Sequence, residues 1–300
     1  MNHQGNTISG TIAAVFGLAL GLNPGMGVQA ESLTHVPRKE STEAVQVTQR
    51  STPQSFNSFL EWCNAKDQLP AEPRRTVDAL LKKANTDDCQ QANQILEFAS
   101  ALNLTANQIS DLRPLSSFTK LNRLVLHKNQ ISDLSPLAPL ENLEILYLAS
   151  NQISDLQPLT QLPQLKQLIL HDNQITNLSA LDTLKNLNLL YLGQNKISNL
   201  SPLSGLTGLT ELSLTRNQVK DINPLSSLTQ MQELNLSFNQ ISDVKPLESM
   251  KNLTEVNLNG NEVSNVNPLR TLPNLTEVYL YQNPVASQVC PQNPDALCIL

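Results

Sequence analysis

A chain of 300 residues with 40% apolar and 15% charged content is long enough for two ordinary domains, yet 54 of its residues are leucine, a bias that points to internal repetition. The net charge of -6, from 20 basic and 26 acidic side chains, lacks the basic footprint that nucleic-acid binding requires. No apolar run reaches about 18 residues, so no transmembrane segment is expected.

At the N-terminal end, Ile8 to Leu22 form an apolar stretch of 15 residues, followed by Asn23-Pro24-Gly25 and then Val28-Gln29-Ala30. That order reads as a secretory signal peptide over residues 1–30 with cleavage after Ala30, although the first Lys or Arg is Arg38. The competing reading is a flexible extension that is never cleaved. Residues 31–55, rich in Ser, Thr, Gln and Glu without any period, read as a disordered linker. Phe56, Phe59, Leu60 and Cys63 then fall at helical spacing. A second helical run follows Pro73 with Val77, Leu80, Leu81 and Ala84 on one face. A third starts near Asp87 or Asp88 and carries Ala92, Ile95 and Leu96 on its apolar face. Residues 56–92 are therefore expected to form a helical N-terminal cap with Trp62 buried in it.

Over residues 93–289 the chain repeats. Asn stands at Asn107, Asn129, Asn151, Asn173, Asn195, Asn217, Asn239, Asn261 and Asn283, nine times with a period of 22. The third residue before each is Leu, the fifth before is Leu or Val, and the second after is Ile or Val. Seven after, Pro occupies seven of the first eight repeats, with Ala180 the exception. Alternating Leu turns one side of a short strand inward, and stacked repeats then make a parallel sheet. An Asn amide both donates and accepts, so a column of Asn can satisfy backbone groups buried where each strand turns. The Pro removes an N–H and fixes φ, which predicts 3₁₀ or extended structure on the return side in place of α-helix.

Four cysteines flank the repeats and none lies inside them: Cys63 and Cys89 before, Cys290 and Cys298 after. An even number suits an oxidising compartment, and local pairs would staple the exposed ends of an open solenoid. A four-thiolate zinc site is the alternative, opposed by the distance between the two pairs along the array. Residues 290–300 are expected to form the C-terminal cap.

The pattern L-x-L-x-x-N-x-I is the signature of leucine-rich repeats. In its 22-residue form it resembles the internalins and the leucine-rich regulatory subunit of type-1 protein phosphatase. Through Trp62-Cys63, Thr86-Asp87-Asp88-Cys89 and Cys290-Pro291 to Cys298, the flanks resemble secreted bacterial leucine-rich-repeat proteins, including cyanobacterial ones. The resemblance implies a curved solenoid with nine parallel strands on its concave face, and recognition of a partner protein at a surface.

No metalloprotease, serine-hydrolase, P-loop or dinucleotide motif is found, so neither enzyme activity nor any cofactor or metal is expected. The information lies where repeats differ, in the outward columns of the strands. Repeats two to five carry Val125, Ile145, Tyr147, Ile169, Leu189 and Tyr191 as an exposed apolar patch, edged by His127 and His171. Repeats six to nine carry a ladder of Glu211, Glu233, Glu255 and Glu277, which reads either as a solvated rim or as a site for a basic partner or Ca²⁺. The expected function is non-catalytic recognition of another protein by a monomer that is secreted, periplasmic or at the cell surface. The alternatives are an intracellular regulatory subunit and a structural spacer.

Overall fold

The computed structural model describes residues 56–285 and the backbone of 297–299. The signal-peptide and linker expectations fall on residues 1–55, outside the described residues, as do Cys290 and the side chain of Cys298.

Three helices open the described chain: α1 (Phe59–Asn64), α2 (Ala71–Ala84) and α3 (Cys89–Leu96). Ser58 caps α1 by accepting the Glu61 N–H, and Asp88 caps α3 by accepting the Gln91 N–H at 2.8 Å. Pro73 sits in the first turn of α2, where its missing N–H costs nothing, and Asn85 ends that helix in the left-handed region at φ 56°. Cys63 and Cys89 form a disulfide joining α1 to α3, which excludes zinc at this pair. Phe59, Trp62, Val77, Leu80, Ala92 and Leu96 join the array's own core, so the helices cover its open end. Ile95 is exposed, contrary to the helical-face expectation. It lies about 100° round the helix from Leu96, and an eight-residue helix against one solenoid end buries a single narrow stripe.

From Ala101 the chain makes nine rungs, each with a three-residue strand, from β1 (Ala101–Asn103) to β9 (Glu277–Tyr279). All pair in parallel in chain order, with every partner 22 residues on, as in Leu168 to Leu190. A tenth strand, β10 (Leu297–Ile299), pairs in parallel with β9 and was not anticipated. It covers the sheet edge that the last rung would otherwise leave open. The middle strand residues and the Leu two residues later are buried along the whole array. The return side is a series of 3₁₀ turns, each placing a Leu into the core, such as Leu159, Leu203 and Leu247. The turn at Ser179–Thr183 forms although Ala180 replaces Pro, so the Pro is not what makes this side 3₁₀.

The Asn column carries the corners. Asn195 Nδ2 donates to the Leu192 and Leu170 carbonyls, both at 3.0 Å, and its Oδ1 accepts the Ile175 N–H at 2.9 Å. The same three bonds recur at every rung from Asn129 to Asn283. Each amide thus bridges two rungs and pairs backbone groups that the turn removes from water. Asn107 has no earlier rung to bridge and donates to Thr105 alone.

Candidate protein-binding face

The strand residues on either side of the buried Leu or Val point outward and form adjacent columns on one open sheet face. The register brings Ile145, Gln167, Leu189 and Glu211 into the first column, and Tyr147, Ile169, Tyr191 and Ser213 into the second. Ile145, Tyr147, Ile169, Leu189 and Tyr191 are half-buried and contiguous. Val125 is not part of an exposed patch: only 7% of it is accessible. Its short side chain sits in register between Asn103 and the long Tyr147, which shield it.

Both tyrosines lie along the sheet and reach the next strand. Tyr147 donates to Gln167 Oε1 at 2.6 Å, and Tyr191 donates to Glu211 Oε2 at 2.9 Å. His127 stacks on Tyr147 with centroids 5.5 Å apart, while the Arg123 guanidinium lies 5.6 Å from the same ring centre. His127 Nδ1 accepts the Ala149 N–H at 3.0 Å, which assigns the imidazole proton to Nε2. Burial, and then the charge of Lys128, push His127 below the ordinary imidazole range. Two rungs on, His171 lies over Gly193: a Cβ there would come 3.0 Å from His171 Nδ1 and 2.6 Å from Thr215 Cγ2. A side chain at Gly193 would thus collide with Thr215 first and crowd His171 as well.

Beyond Tyr191 the face turns acidic. Glu211, Glu233, Glu255 and Glu277 follow one another in direct register. Tyr191, Glu211, Glu233 and Glu255, with Ser213 and Asn235 between them, line a crevice of about 220 Å³. Burial and then the neighbouring Glu277 and Glu233 raise Glu255 above the ordinary carboxylate range. Tyr191 is pushed up to about 12 by burial, by its bond to Glu211 and by the charges of Glu211 and Glu233. Among the described residues, no group of three His, Cys, Asp or Glu side chains converges to hold a metal ion. Nor is any helix among them long and apolar enough to cross a membrane.

The family model for leucine-rich repeats in two copies matches residues 101–139, 141–183, 185–227 and 229–271, more than half the chain. This chain belongs to the leucine-rich-repeat family. Among solved structures, an internalin C2 from Listeria monocytogenes is 35% identical, with a TM-score of 0.63, over 68% of this chain and 91% of that one. The internalin InlF from the same organism is 28% identical, with a TM-score of 0.70, over 79% of this chain and 68% of that one. The repeats are internalin-like. A plant peptide hormone receptor, RGFR1 in complex with RGF2, shares the fold at 20% identity and a TM-score of 0.55, over 64% of this chain and 34% of that one. A comparison with curated proteins by sequence gives no match. Leucine-rich-repeat solenoids of this kind are protein–protein interaction modules.

Two recurrent positions escaped the sequence reading. Four residues after each of the first eight ladder Asn stands Asp or Asn, whose Oδ1 accepts the first N–H of the following 3₁₀ turn at 2.8–3.0 Å. That column, from Asp111 to Asn265, was legible as an Asx-turn signal before each Pro-Leu. The residue before each ladder Asn has a left-handed φ of 53–64° yet is variously Ala, Lys, Ser, Asp, Gln, Arg, Phe or Gly. No compositional signal marks it.

Proposed function

We propose that this leucine-rich-repeat protein is a non-catalytic receptor that seats a partner protein on its concave face, outside the cytoplasm. The observation that carries this reading is the uninterrupted strip from Ile145 and Tyr147 to Tyr191, which runs directly into the Glu211–Glu277 row. Half-buried aromatic anchors bordered by polar groups are what a protein interface concentrates its energy on. Aliphatic side chains that remain accessible on a rigid sheet gain by burial against a partner. The Cys63–Cys89 disulfide favours an oxidising compartment over the cytosol, in keeping with the apolar N-terminal segment.

The test is affinity capture by the wild-type chain and by a Tyr147→Ala, Tyr191→Ala double variant with a matching unfolding midpoint, followed by titration of the purified interactor. A partner bound by the wild type and weakened at least about tenfold by the double variant is the expected result. Equal affinity for both would move the binding surface away from this strip.

A further inference from the structure

The concave columns of rungs two to five contain a second period beneath the 22-residue repeat. Rung two carries Val125, itself shielded, and His127, and rung three carries Tyr147 and Ala149. Rung four then presents Ile169 and His171, and rung five Tyr191 and Gly193. A β-branched residue with His, followed by Tyr with a small residue, thus recurs after two rungs. The geometry recurs with it. Each tyrosine hydroxyl donates to the first residue of the next strand, Gln167 in one case and Glu211 in the other. Each imidazole borders the small residue of the next rung: His127 Nδ1 accepts the Ala149 N–H, and His171 Nδ1 stands 3.0 Å from where a Cβ on Gly193 would lie. The face therefore carries two modules alike in residue pattern and in the tyrosine bond to the next strand. The first adds the His127–Tyr147 stack and the Ala149 N–H bond to His127.

Their spacing selects among ligand conformations. Parallel strands lie about 4.8 Å apart, so the modules repeat every ~9.6 Å along the solenoid. A polyproline II helix completes a turn of three residues in ~9.3 Å and presents the same side of the chain each turn. A β-strand repeats its face every ~6.6–6.8 Å and falls out of step at the second module. Two α-helical turns span ~10.8 Å, a poorer match. A polyproline II chain also makes no internal hydrogen bonds, so its carbonyls are free acceptors. His127 Nε2–H, with Nδ1 already engaged, is a donor on this face. The flat Tyr rings and the neighbouring Ile145, Ile169 and Leu189 suit prolyl rings and aliphatic side chains.

Charge sets what flanks the segment. Glu211 belongs to both halves, since it accepts the Tyr191 hydroxyl and begins the acidic row. A basic flank would continue from the second module onto Glu233 and Glu255, whereas a neutral polysaccharide would leave that row without a counterpart. We infer that rungs two to five bind a proline-rich segment of the partner in polyproline II conformation, one turn on each His–Tyr module, with its basic flank on the glutamate row. This rests on the reading of the face as protein-binding.

The experiment is calorimetric titration of the full chain with a synthetic peptide of about sixteen residues, four turns of leucine-proline-proline with two arginines at each end. Saturable binding is expected, with Tyr147→Ala and Tyr191→Ala each weakening it by a similar factor of about ten. Should either alanine variant unfold, Tyr147→Phe and Tyr191→Phe keep the ring and are expected to retain most of the affinity. Glu233→Gln with Glu255→Gln should weaken the arginine-ended peptide and leave a glutamine-ended one unchanged. Absence of binding at millimolar peptide would overturn the inference. So would equal binding of a peptide with glycine and serine in place of proline, sensitivity to only one tyrosine, or displacement by a neutral oligosaccharide. If the peptide fails while a folded partner still binds through the two tyrosines, the polyproline assignment falls and the receptor reading stands. If neither binds, both fall.

Discussion

Rungs two to five and rungs six to nine share one strand register and one Asn ladder, yet they face the concave side with different chemistry. The first group shows Tyr147, Tyr191 and aliphatic residues, with His127 and His171 at the edge; the second shows a row of carboxylates. Inside, Leu190 and Leu234 occupy equivalent buried positions, and Asn195 and Asn239 make the same three bonds. The difference shows that stability and recognition are carried by separate columns of one repeat. Inward and corner positions are held alike in both halves, which leaves the outward positions free to diverge.

Cutting into the shared interior should hurt both halves equally. Leu190→Ala and Leu234→Ala are each expected to cost about 2–5 kcal/mol in urea unfolding, through lost transfer energy and the cavity left behind. A loss confined to one variant would break the equivalence of the two interiors. Asn195→Ala and Asn239→Ala should cost less, about 1–3 kcal/mol each, because each leaves buried backbone groups of two rungs unpaired. The same unfolding measurement checks this, and an unchanged midpoint in either variant would remove the ladder from the account of stability.

The smallest effect sharpens the contrast, because it should have opposite signs in the two halves. His127 is held below its ordinary value, so its stabilising contribution is complete above about pH 6.5 and is lost as pH falls through the lower folded value. Glu255 is held above its ordinary value, so its ionised form is penalised in the folded state; acidification through the raised value relieves that penalty. Between pH 7 and pH 5, hydrogen exchange corrected for intrinsic rates should quicken around rungs two and three and slow around rungs seven to nine. Shifts of the same sign in both regions would show that the electrostatics of the face are not divided as the geometry indicates.

Much of this was legible because a 22-residue repeat samples each structural position nine times. Agreement among Asn107 to Asn283 identified the corner, alternation of Leu identified the strand, and the Glu residues fell into one column as soon as the repeats were aligned. The capping Asp or Asn before each 3₁₀ turn was equally visible and was missed, because Pro was credited with shaping that side. Ala180 shows otherwise: its turn forms with Asn177 Oδ1 accepting the Ser179 N–H at 2.9 Å. Val125 was misjudged because strand alternation assigns a face but not the size of the neighbours on it.

The sequence by itself determined the rung, its period, its inward and outward columns and the chemistry of each, since these follow from local patterning repeated until chance is excluded. Tertiary structure alone decided what depends on neighbours far along the chain. It brought β10 onto the open edge of β9. It also laid Tyr147 and Tyr191 across to the next strand and set His127 beside Ala149 and His171 beside Gly193, each one rung away. Those contacts join residues about one full repeat apart, and only stacking of the rungs makes such residues adjacent.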